Sequence, residues 1–263
     1  MGSGGAALGA STVSEPRPAV ARTVVQLLGR YWVAISAYVV PLLATFVARA
    51  ILGGDPTAAE IDNLGFGLPA FEDGRWWTLF TGFVLVDDLA VPQPTLILLG
   101  VAAYEHVAGH ARALAVLLTG HVVAVLLGIA LFVAFEDSGN VLARTVTSTV
   151  DFGTSNGCYA CLGAWTCYLA SPWRRRVRWW QNVWLAGPLL FSGHIYDVTH
   201  VIGWFFGMWA GVRLMAPDRP DPTPFDRREW PGLILAIAIG AICGLYSGVI
   251  GDGPGGLFGW SLD

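Results

Sequence analysis

The chain has 263 residues, of which 54% are hydrophobic and only 13% charged, with a mean hydropathy of +0.57. Soluble domains carry about 25% charged residues, so this composition excludes an ordinary soluble fold and reads as an integral membrane protein. A net charge of −4, with fifteen Arg and no Lys, excludes a partner recognised through a basic surface, nucleic acid above all.

Residues 1–29 carry Gly, Ser, Pro and Arg, without an apolar signal segment or a small-residue cleavage site, and are expected to form a disordered polar tail. Residues 31–52 are an apolar run with Pro41 inside it. At about 1.5 Å per residue that run crosses a hydrocarbon core of roughly 30 Å. Residues 53–77 are an acidic loop ending in Phe71 and the pair Trp76-Trp77, side chains that suit the headgroup level. Residues 79–86 are apolar but too short to span, and Asp87-Asp88 cuts them off, which predicts an interfacial or re-entrant segment.

A second span is expected over about 92–106, a tight turn over 105–112, a third span over 113–135 and a polar loop over 136–150. The fourth span runs from near Phe152 to Ser171, where an arginine run, Arg174 to Arg178, marks its end. A fifth, short span covers about 179–191 and a sixth about 198–215. A linker at 216–231, a seventh span at 232–251 and a tail at 252–263 complete the chain.

With the N-terminus inside, twelve of the fifteen arginines fall on the inner side, so charge asymmetry predicts a cytoplasmic N-terminus. Seven spans then leave the C-terminus outside. The expected setting is a plasma membrane, taken as a bacterial inner membrane. Arg174, Arg175, Arg176 and Arg178, interleaved with Trp173, Trp179 and Trp180, read as an anchor at an anionic lipid surface.

Four cysteines, Cys158, Cys161, Cys167 and Cys243, sit in apolar runs and read as small buried packers, since Cys158-x-x-Cys161 has no second half of a metal site. No cofactor or metal is expected. His194-x-x-Asp197-x-x-His200 has a spacing open to a metal, but His194 and Asp197 read equally as cap residues of the sixth span. Glu105, His106 and His110 read as a solvated turn at the inner face, and His121 is a further ionisable group in mid-span.

The chemistry concentrates in Asp151-Phe-Gly-Thr-Ser-Asn-Gly-Cys-Tyr-Ala-Cys-Leu-Gly163 and in His200. Counting from the arginine-marked ends, Ser155 lies about 26 Å along the fourth span and His200 about 20 Å along the sixth. Both therefore fall in the outer half of the membrane. A hydroxyl and an imidazole at one depth form a candidate nucleophile and base. First-turn amides at Ser155, with Thr154 and Asn156, are candidate donors to an oxyanion. The competing reading is that Gly153, Ser155, Gly157, Ala160 and Gly163 only form a small-residue face for helix contact.

Gly153-x-Ser155 with Tyr159 and Gly163, followed by His200-x-x-Gly203-x-x-x-Gly207, resembles the rhomboid intramembrane serine proteases. Trp77-Thr-Leu-Phe-Thr81 and Glu105-x-x-x-Gly109 are weaker echoes of the same family. The likeness covers about residues 30–215. It implies an all-α polytopic transmembrane bundle, with a rhomboid-like six-helix core and one added C-terminal helix. It also implies Ser155 as nucleophile, His200 as base, Tyr159 packed on the imidazole, and transmembrane-helix proteins as substrates entering by the short fifth span.

The chain departs from the pattern in two places. Asn156 stands where the family's motif has Gly, and the family's second-span His and Asn are replaced by Leu89 and Gln93. Gln93, Asn156 and the Ser155 amide then remain as oxyanion donors. Loss of one donor costs about 10²- to 10³-fold in rate, so an inactive relative that binds transmembrane helices as a chaperone or regulator is the alternative. A transporter is the remoter one, for which paired inverted repeats would be expected.

Overall fold

The computed structural model describes residues 19–52, 63–85, 97–135, 141–191 and 195–214. Gln93, His194, Cys243, the linker, the expected seventh span and the C-terminal tail lie outside them. The described residues form helices and turns with no strand, apart from one isolated antiparallel bridge between Phe66 and Asp151.

Helix α1, Ala19–Arg30, is a unit by itself, and residues from Tyr31 onward form another. The helix corrects the expectation of a wholly disordered tail. Within Ala19–Arg30 neither Pro nor Gly occurs before Gly29, and Ala, Val and Leu recur without a breaker.

The second unit opens with α2, Trp32–Leu52, which contains Pro41. Short helices α3, Leu68–Glu72, and α4, Thr78–Val84, follow; α4 buries Thr78, Leu79 and Gly82, in keeping with a segment too short to span. A π-helical stretch, Ile97–Ala102, leads into α5, Ala103–Ala108. Gly109, at φ 85°, turns the chain into the long helix α6, His110–Val133.

Val141–Ser148 forms helix α7 inside the stretch expected to be a polar loop. Its Val141, Leu142, Ala143 and Val146 were hidden among Arg and Thr, and Ala143 is buried. Helix α8, Ser155–Thr166, is shorter than the expected fourth span, since the chain passes into turns at Cys167, Tyr168 and Leu169 before Pro172. Helix α9, Trp173–Phe191, correspondingly starts earlier than expected and takes in the whole arginine run. The last described helix is α10, Ile195–Leu214.

Two helices among the described residues, Trp32–Ile51 and His110–Val133, are long and apolar enough to cross a membrane. The centre of the bundle is α8, buried at every residue from Ser155 to Ala164. Apolar and small on all sides, such a helix is stable only inside other helices. Two packed clusters line up along α6. Ala113, Val116 and Leu117 pack with Val33, Tyr104, Cys158 and Ala160, and farther along α6 Val125, Ile129 and Phe132 pack with Phe66, Phe71, Ile195 and Val198.

The seam between α8 and α10 is closed by backbone. A Cβ on Gly207 would collide with the Ala160 carbonyl, and one on Gly203 would stand 2.6 Å from the Asn156 carbonyl oxygen. Only glycine permits that approach, and it puts the start of α8 beside the second and third turns of α10.

Candidate active site

The turn before α8 is held on both sides. Phe66 and Asp151 exchange backbone hydrogen bonds, the Phe66 amide donating to Asp151 at 3.0 Å and the Asp151 amide to Phe66 at 2.8 Å. Gly153, at φ 110°, donates its amide to the Gly82 carbonyl of α4 at 2.7 Å. That φ belongs to glycine. The loop of α3 and α4 thus fixes the backbone immediately ahead of Ser155.

Ser155 is the first residue of α8 and His200 lies in the second turn of α10. Ser155 Oγ and His200 Nε2 are 2.8 Å apart. In the neutral tautomer with its proton on Nδ1, the imidazole accepts the serine proton at Nε2. The Tyr159 ring lies 4.4 Å from the His200 ring and the Tyr196 ring 5.8 Å from it. Ser155 retains 9% of its surface, and the amides of Ser155, Asn156 and Gly157 occupy the first turn, where no intrahelical acceptor exists. The arrangement can activate a hydroxyl and present N–H donors next to it.

No protein-family model matches the sequence, and the searches of curated proteins and of solved structures gave no match.

The other expected site residues divide. Tyr159 packs on the base as described. Thr154 is buried, and its hydroxyl oxygen lies 3.9 Å from the Cys158 thiol. Asn156 has no exposed surface, and its side-chain oxygen and nitrogen make no hydrogen bond among the described residues. The structure therefore brings Ser155, His200, Tyr159 and first-turn amides together, while the side chains of Thr154 and Asn156 are closed off from solvent.

Two polar groups, Glu105 and Arg178, have roles other than those expected. Glu105 is buried, not in a solvated turn. Its Oε1 accepts the Val33 amide at 2.9 Å, its Oε2 accepts the Ala34 amide at 3.0 Å, and His110 Nδ1 stands 2.6 Å from Oε1. Arg178 is fully buried, with Nε donating to Thr166 Oγ1 at 2.9 Å, so the arginine run is not wholly an interfacial anchor. His121 stands 2.9 Å from the Leu79 carbonyl through Nε2 and packs edge-on against Phe66 and Phe83. Asn182, unmarked by any motif, accepts the Trp204 indole proton at 3.0 Å.

Proposed function

We propose that this chain is a rhomboid-like intramembrane serine protease, a polytopic helical membrane protein that hydrolyses a peptide bond in or beside a partner's transmembrane segment. The observation that carries the reading is the 2.8 Å Ser155–His200 contact with Tyr159 packed on the imidazole, on motifs that resemble that family.

Ser155 Oγ attacks the scissile carbonyl carbon while its proton passes to His200 Nε2. The oxyanion draws on first-turn amides of α8. The imidazolium returns its proton to the leaving amine, and water then releases the acyl group from Ser155. The membrane setting is supported by two helices of spanning length and apolarity. It is supported too by the arginine run at the start of α9, with Arg176 exposed, which follows the Thr166 end of α8, about 16 Å along the helix from Ser155. On that reading the N-terminus is cytoplasmic and the dyad lies in the outer half. Helix α9 borders the site and is the side by which a transmembrane substrate would enter.

One observation favours the alternative of an inactive relative that binds transmembrane helices: the side-chain amide of Asn156, a candidate oxyanion donor, has no exposed surface. Fluorophosphonate labelling of the purified full chain decides between them. The protease reading expects labelling that disappears in Ser155→Ala and falls in His200→Ala; absence of Ser155-dependent labelling in folded protein rejects it.

A further inference from the structure

Asp197 is an acidic residue inside the bundle that the dyad mechanism does not use. It lies in the first turn of α10 and is 3% exposed. It stands three residues before His200, and on a helix such residues share a face with about 5–6 Å between their Cβ atoms. The carboxylate is also within electrostatic reach of Tyr159, whose ring packs 4.4 Å from the His200 ring. The positive end of the helix favours the charged carboxylate at this position. A buried acid in a membrane bundle is costly and usually functional.

We propose that Asp197 is a positioning residue of the dyad, whose carboxylate, one helical turn from His200, stabilises the imidazolium formed when Ser155 gives up its proton. This rests on the serine-hydrolase reading. Ser155 Oγ bonds to the electrophilic centre as its proton passes to His200 Nε2, and the imidazolium later yields that proton to the leaving group. Asp197 remains ionised throughout and neither gains nor loses a proton. Its negative charge matters only while the ring is positive, so it lowers the barrier more than it favours the resting state.

The competing role is a cap of α10, which an amide fills as well as a carboxylate. The second-order rate of fluorophosphonate labelling is therefore measured on the full chain for wild type, Asp197→Asn and Asp197→Glu, with Ser155→Ala as the blank and thermal unfolding followed in parallel. The expected result is labelling slowed roughly 10- to 100-fold in Asp197→Asn at an unchanged unfolding midpoint, with most of the rate recovered in Asp197→Glu. Equal rates in wild type and Asp197→Asn overturn the proposal. A slower rate that tracks a lowered midpoint, or that Asp197→Glu does not restore, also overturns it and assigns the residue to structure. An unlabelled wild type rejects the hydrolase reading itself, a result distinct from equal rates.

Discussion

The carboxylate of Glu105, in the first turn of α5, accepts the backbone amide of Val33 in the first turn of α2, 72 residues earlier in sequence. The neighbouring Ala34 amide binds the second oxygen, and His110 closes the third side. One side chain thus caps α2, whose own start offers no Ser, Thr, Asp or Asn, and ties it to the corner between α5 and α6. Glu105→Ala leaves two buried amides without acceptors, at about 1–3 kcal/mol each. The expected loss is about 2–5 kcal/mol of stability, read as a lowered unfolding midpoint in detergent. Glu105→Gln keeps one acceptor oxygen and is expected to lose less than half as much.

Tyr159 acts on His200 through its ring, centred 4.4 Å away. Tyr159→Phe keeps that ring and is expected to label at Ser155 within about threefold of wild type. Tyr159→Ala frees the imidazole to leave the 2.8 Å geometry with Ser155, and a misplaced base costs on the order of 10²-fold. Comparing the two labelling rates at matched folded fraction checks this. Equal loss in both variants would mean that the hydroxyl, not the ring, is what matters.

How far the sequence reveals this site depends on the range of each interaction. Counting from the arginine-marked ends pairs Ser155 and His200, although that count runs a continuous helix to Pro172 where α8 ends at Thr166. The backbone ties of Phe66 to Asp151 and of Gly82 to Gly153 leave no side-chain signature, so the clamp on the nucleophile turn was illegible. Glu105 looked solvated because its partners are amides from a distant helix. Arg178 looked interfacial because its neighbours are Arg and Trp; only the helical phase of α9 turns it toward Thr166, on the face that also carries Asn182 and Leu185. Helix α8 was read too long because the apolar run continues beyond Thr166, while the hydrogen-bond pattern changes before Pro172.

The α8–α10 seam predicts a steep dependence on side-chain size. Gly207 meets the Ala160 carbonyl, a backbone atom that cannot rotate away. Gly207→Ala is therefore expected to cost about 1–3 kcal/mol, and Gly207→Val more, through overpacking. The helices must separate to admit the methyl groups, which also draws His200 from Ser155. Labelling at Ser155 is expected to fall in both variants by more than the folded fraction does. At Gly187, where an added Cβ meets nothing within 4 Å, alanine is expected to leave the labelling rate unchanged.

Helix α9 is attached to α10 partly by a hydrogen bond in which the buried Trp204 indole donates to Asn182 Oδ1 at 3.0 Å. Asn182→Ala leaves the indole proton buried without an acceptor, an expected cost of about 1–3 kcal/mol. Trp204→Phe removes the donor and part of a fully buried side chain, so by itself it is also destabilising. Once the donor is gone, truncating Asn182 no longer strands it. The double variant is therefore expected to be more stable than the sum of the singles by about 0.5–1.5 kcal/mol, measured as a double-mutant cycle on unfolding midpoints. Strict additivity would mean that this bond does not hold α9 in place, leaving Arg178 and the packing of Leu185 against Tyr159 and Trp204 as its attachment.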